Sequence, residues 1–247
     1  MSDTRNPSHD PGPARRPGVV RSAAGLAADL AYIARSRLGP VRYGMLPPPP
    51  NDPASDPARP PVLLIPGVFE SWHYLRAIGE RLAARGHPVH RVAELGLNHR
   101  PIDRAARLLG DYVVERGLRD VVLVTHSKGG LIGKAMLLAD ADAAATPRER
   151  RLERLITVNT PFRGTPVARW GLGPWREFRP EAAIIRSLGA RTEVNDRITS
   201  LVSAVDQYVP RAIAHLDGAE NVVLDRVGHF RVLGLPDVID EIERRLP

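Results

Sequence analysis

From Val62 to the C-terminus, short apolar, β-branched runs alternate with amphipathic helical stretches, and that alternation leaves few folds open. VLLIP (62–66) is followed by YLRAIGERLAARG (74–86), PVHRV (88–92) by PIDRAARLLGDYVVERG (101–117), and DVVLVTHS (120–127) by GGLIGKAMLLAD (129–140). RLITVNTP (154–161), ITSLVSAVD (198–206) and NVVLDRVG (221–228) add three more strands, and LPDVIDEIERRLP (235–247) closes the chain as a helix. A strand made of consecutive apolar residues has no polar face, so both of its sides must be covered. Strands of this kind interleaved with helices predict an α/β fold, a mostly parallel, doubly wound sheet with helices on both faces. In such sheets ligands and chemistry collect at the C-terminal strand ends, and the functional residues are sought there.

The region ahead of Val62 reads differently. Residues 1–18 are polar and Pro-rich and are expected to be a disordered tail. Residues 19–39 place Val19, Ala23, Leu26, Leu30 and Ile33 at helical spacing, with Gly39-Pro40 as the expected stop. This helix is expected to dock on the protein's own core. The alternative is peripheral membrane contact through residues 19–39, with Arg21, Arg35 and Arg37 on the polar side. Residues 46–61, LPPPPNDPASDPARPP, form a Pro-rich spacer. The expected organisation is a tail at 1–18, a helix and spacer at 19–61, and a compact domain over 62–247.

Composition narrows the function classes. The chain has no Cys, which removes disulfides, thiolate nucleophiles and Cys-ligated metals. It contains no run of ~18 apolar residues, and residues 1–18 have no apolar signal-type core, so a soluble, cytoplasmic protein is expected. The net charge of +7 invites a nucleic-acid reading. However, 33 of the 35 basic residues are Arg, scattered along the chain, and no basic run interleaved with aromatics occurs. Nucleic acid is therefore not an expected partner. His87 and His90 are three apart across a non-helical Pro-Val with no third ligand in view, so no metal is expected.

The most informative segment is the end of DVVLVTHS. Val121 to Val124 run directly into Thr125-His126-Ser127-Lys128-Gly129-Gly130, and a helix pattern follows at once. A Ser between a buried strand and a glycine-rich helix start sits on a tight turn that presents its hydroxyl at the sheet edge. A serine hydroxyl needs a base to become a nucleophile, and the base needs an orienting carboxylate. Asp206 follows the apolar run ITSLVSAV, and His229 follows NVVLDRVG. His215 precedes a strand rather than following one, Asp225 lies inside a strand, and His9, His73, His87, His90, His99 and His126 precede or adjoin the Ser.

With these motifs the chain resembles the α/β-hydrolase superfamily, in particular its lipase and esterase branch, over residues 62–247. The family pattern is G-x-S-x-G, and here Thr125 takes the first position, where a small residue is needed. The order Ser, acid, His matches the family, and the D-x-x-V-P context of Asp206 is similar to its acid loop. The resemblance implies an α/β-hydrolase fold with a short lid at 161–190 and no cofactor. It also implies Ser127, Asp206 and His229 as catalytic residues. The oxyanion would be held by the backbone N–H of Lys128 and by that of Val68, with Phe69 as the fallback, in a Pro66-Gly67 loop where the family commonly has His-Gly. Lys128 replaces a more usual Met or Gln. It is read as half of a surface ion pair, for example with Glu70, in preference to a selector of anionic substrates.

Aromatic residues cluster after the predicted strand ends, which suggests a pocket for apolar acyl or aromatic groups. Phe69, Phe162, Trp170, Trp175 and Phe230 are its expected lining; Trp72 and Phe178 share the same connections. Arg163, Arg169, Arg176 and Arg179 add positive charge beside them. The expected activity is hydrolysis of a small-molecule or lipid ester through an acyl-enzyme on Ser127. An acyltransferase using the same intermediate and a non-catalytic lipid-binding protein are the alternatives, since fold alone does not fix chemistry.

Overall fold

The computed structural model describes residues 19–44 and 55–247, with side chains from Ser22 onward. The expected tail, most of the Pro-rich spacer and the side chains of Val19 and Arg21 lie outside the described residues. Six strands, β1 (Val62–Ile65), β2 (Val89–His90), β3 (Val121–His126), β4 (Leu152–Val158), β5 (Ile198–Val205) and β6 (Glu220–Val227), form one sheet in the order β2-β1-β3-β4-β5-β6. Every pairing is parallel. The helices are α1 (Val19–Arg37), α2 (Gly39–Tyr43), α3 (Arg76–Ala84), α4 (Ile102–Glu115), α5 (Lys128–Ala143), α6 (Ala183–Ala190), α7 (Arg211–Ala214) and α8 (Pro236–Glu243). None is long and apolar enough to cross a membrane.

The period-two geometry of the strands sorts their side chains into two cores. Leu63, Ile65, Val121 and Leu123 face one way and pack with α4, α5 and α6 through Leu109, Leu131, Ile132 and Ile185. Val62, Leu64, Val122 and Val124 face the other way, toward Leu75, Ile78, Leu82, Val238 and Ile242 of the α3 and α8 side. Covering both faces is what these unbroken apolar runs require.

The strand order also places the functional edge. The chain leaves β1 toward β2 on one side, whereas β3 leads to β4 on the other. Adjacent strands whose connections diverge leave a crevice above their C-terminal ends. The loop Gly67–Phe69 after β1 and the turn at Ser127 after β3 flank that crevice.

Helix α5 starts so close to β1 that a Cβ on Gly129 would run into the carbonyl oxygen of Ile65. That oxygen belongs to the backbone of a central strand and cannot swing aside. Gly129→Ala is therefore expected to cost roughly 3 kcal/mol of stability, the upper part of the range for overpacking a core. A urea midpoint unchanged from wild type would contradict this close approach.

Helix α1 closes at Arg37, just ahead of Gly39-Pro40, and Pro40 then occupies the first turn of the short α2, where its missing N–H is harmless. The apolar stripe is buried only in part: Leu26 and Ile33 are half-buried beside the buried Gly25, Asp29 and Ser36, whereas Ala23 is exposed and Leu30 is 66% exposed.

Candidate active site

Ser127 lies between the last residue of β3 and the first of α5, with φ 51° and ψ −117°. Positive φ is costly for a residue with a Cβ, about 1–3 kcal/mol, and survives only where its surroundings enforce it. Here the Ser127 N–H donates to the carbonyl of Val158 (2.9 Å). Its carbonyl accepts from the N–H of Gly130 (3.0 Å) and from Thr160 Oγ1 (2.9 Å). The turn is thus held from β4 and from α5 together.

Asp206 and His229 meet from the ends of β5 and β6. The Nδ1–H of His229 donates to Asp206 Oδ2 at 2.6 Å, and both side chains are almost completely buried. The other carboxylate oxygen, Oδ1, accepts from the backbone N–H groups of Tyr208 (2.7 Å) and Val209 (2.8 Å). Burial alone would depress the imidazole pKa. The charge of Asp206, its hydrogen bond, and the more distant charges of Glu70 and Asp29 outweigh that, so the His229 pKa is raised above the usual value.

Ser127 and His229 border one cavity of about 180 Å³, walled by Ile33, Val68, Phe69, Tyr74, Trp175, Phe178, Tyr208 and Phe230 among others. The backbone N–H groups of Val68 and Lys128 donate to no acceptor among the described residues. A larger groove of about 580 Å³ opens between α4 and α5, but its lining holds neither a Ser nor a His.

The expected lining needs correction at two positions. Phe162 is buried in the core on the α5 side and does not reach the cavity. Trp170 is 90% exposed and points to solvent. Phe69, Trp175 and Phe230 do line it, joined by Phe178, by Tyr74 and Tyr208, which sequence reasoning did not single out, and by Ile33 and Arg37 of α1, which it placed on the helix but not at the pocket.

Lys128 is a third correction. Its side chain is fully buried, not on the surface, and Glu70 is not its partner. The ammonium donates to the carbonyls of Asn98 (3.1 Å) and Arg100 and lies 4.0 Å from Glu177 Oε2. Burial lowers its pKa to about 8, against the opposing pull of Glu177. Through Glu177 it ties the segment Gly173–Phe178 to the start of α5, and it is not part of the cavity wall.

Glu70 instead pairs with His126, the residue before Ser127. Both Glu70 oxygens lie 2.9 Å from His126 Nδ1, and Oε2 also accepts the N–H of Gly67 (2.9 Å). His126 Nε2 faces the carbonyl of His229 at 3.1 Å, so that nitrogen must carry a hydrogen. Asn159 Nδ2 donates to the same carbonyl at 3.0 Å. Glu70 and His126 therefore link the loop after β1 to the loop that carries His229, and Asn159 holds the same carbonyl from the end of β4. His87 and His90 are separately engaged, with the carbonyl of Pro60 and the hydroxyl of Tyr112.

The fold resembles that of solved structures. The mature form of the Bacillus licheniformis lipase BlEst2 aligns over 81% of this chain and 100% of its own, with a TM-score of 0.62 at 17% identity. An extracellular α/β-hydrolase from a Paenibacillus species covers 76% of this chain and 99% of its own, with a TM-score of 0.55 at 12% identity. A monoacylglycerol lipase from Paleococcus ferrophilus covers 75% and 93%, with a TM-score of 0.51 at 14% identity. No protein-family model and no curated protein matches the chain in sequence.

Proposed function

We propose that this chain, which has the α/β-hydrolase fold, is a serine esterase acting on carboxylic esters of apolar acyl groups. The observation that carries this reading is the hydrogen bond between Asp206 and His229, 2.6 Å long, beside the strained turn of Ser127 on one cavity. Ser127 Oγ attacks the ester carbonyl while His229 Nε2 takes its proton. Asp206 holds the imidazole with Nδ1 protonated and stabilises the imidazolium. The developing oxyanion is met by the N–H groups of Val68 and Lys128, each such donor contributing about 3 kcal/mol to the transition state. His229 returns the proton to the leaving alcohol, and water, activated by the same imidazole, then releases the acid from Ser127.

The cavity's walls are mostly apolar, which suits an acyl chain. A cavity of about 180 Å³ is small beside the ~300–1,000 Å³ of usual ligand pockets, which favours short acyl chains over long ones. Hydrolysis of p-nitrophenyl esters from acetate to dodecanoate is expected to give its highest kcat/KM at butyrate or hexanoate. A flat profile would remove the cavity as the acyl site. Absent hydrolysis together with acyl transfer to an added alcohol would make the protein a transferase, and absence of both would overturn the reading.

A further inference from the structure

Helix α1 lies ahead of the Pro-rich spacer in sequence, yet its buried face is aimed at the loops of Asp206 and His229. Its one carboxylate, Asp29, is 0% exposed. Oδ1 accepts the backbone N–H groups of Phe230 and Arg231, both at 2.7 Å, immediately after His229. Oδ2 accepts Nε2 of Gln207, also at 2.7 Å, immediately after Asp206. A single side chain thus joins the two loops whose residues form the Asp206–His229 hydrogen bond.

The backbone is shaped to admit it. Gly228 has φ 109°, and a Cβ there would stand 2.6 Å from Asp29 Oδ1. Earlier on the same helix, a Cβ on Gly25 would stand 2.6 Å from the side chain of Val227 at the end of β6. The Tyr32 hydroxyl adds a bond of 2.8 Å to the carbonyl of Tyr74, a cavity residue. Burying a carboxylate is costly unless donors satisfy it, and here three do. Turning this face inward keeps Ile33 at the cavity but leaves Leu30 in solvent, so the polar bracket turns α1 away from the centre of its apolar stripe.

We infer that α1 belongs to the esterase site and that Asp29 is a positioning residue, its carboxylate fixing the loop that aims the His229 imidazole at Ser127. The inference rests on the function proposed above. Facing His229 are Asp206 and Tyr208 from the loop after β5, Glu70 and His126 from the β1 loop and β3, and Asp29 from α1. Arg231 is on its own loop, and Arg37 lies across the cavity. The negative charge of Asp29 is one of the contributions that raise the His229 pKa. The imidazole acts as a base only when neutral, so activity falls as pH drops through that raised value.

Asp29→Ala should fold, lower kcat by ~10–100-fold, the scale of a misplacement of about 1 Å, and change KM by less than about 3-fold. Asp29→Asn keeps an oxygen for both backbone N–H groups and presents its amide to Gln207, which can turn its own oxygen toward it. It should restore kcat to within about 3-fold of wild type on the high-pH plateau, and its acid limb should move to lower pH. An Asp29→Ala protein that is folded and turns over like wild type overturns the inference. So does an Asp29→Asn protein whose acid limb stays in place, and that variant decides the matter if the alanine protein does not fold. If the wild-type protein hydrolyses no ester, the functional reading fails by itself. The His229 Nδ1 proton resonance then decides for Asp29: a change in its position in Asp29→Ala supports positioning, and an unchanged resonance there overturns it.

Discussion

Ser127→Ala should reduce kcat for p-nitrophenyl butyrate by about 10⁵–10⁶-fold, the loss expected when an acyl-enzyme nucleophile is removed and only substrate binding and the oxyanion donors remain. The fold should be unaffected. The features that hold the turn are backbone groups, the N–H and carbonyl of Ser127 bonded to Val158, Gly130 and Thr160, and alanine retains them all. Alanine also keeps the Cβ and therefore the strain at φ 51°. Ser127→Gly separates these two roles. It should be as inactive as the alanine variant but more stable by about 1–2 kcal/mol, because glycine adopts positive φ without penalty. Thermal unfolding of the three proteins beside their turnover is the check. Residual activity above a hundredth of wild type in Ser127→Ala would remove Ser127 from the reaction.

The strands were legible because their signal is local. VLLIP, DVVLVTH and ITSLVSAV are buried along most of their length, so an unbroken apolar run and a strand coincide in them. Ser127, Asp206 and His229 were legible as positions because each follows such a run. Contacts that join distant segments left weaker traces. The types of Glu70 and His126 were visible, but their pairing depends on β1 and β3 lying side by side with Ile65 opposite Thr125. Lys128 finds its acceptors in the irregular loop around Asn98 and Arg100, which has no periodicity to read. Phe162 and Trp170 follow the same strand end, yet one turns into the core and the other to solvent. Proximity in sequence does not settle direction. Asp29 had one trace, as the only carboxylate in residues 19–39. Its partners are about two hundred residues away, and the apolar periodicity is centred to one side of it, with Ile33 at the cavity but Leu30 in solvent.

Asp206→Asn tests the remaining part of the mechanism, and its outcome follows from which oxygen is already committed. Oδ1 accepts the backbone N–H groups of Tyr208 and Val209. An asparagine at this position must keep its oxygen there, since its NH₂ cannot face two donors. The NH₂ is then directed at His229 Nδ1, where Oδ2 stood. To accept that hydrogen, Nδ1 must be unprotonated, so the neutral imidazole carries its proton on Nε2. In that tautomer Nε2 presents a hydrogen to Ser127 in place of a lone pair and cannot act as the base. The imidazolium would also lose its counter-charge, so the contribution that raises the His229 pKa most is removed. Together these should lower kcat by ~10⁴-fold near neutral pH with little change in KM. The bracket of hydrogen bonds around residue 206 survives in number, and the variant should remain folded. Steady-state kinetics from pH 6 to 10 provide the measurement: a loss of less than tenfold throughout would mean that the Asp206–His229 pair is structural and that Ser127 draws on another base.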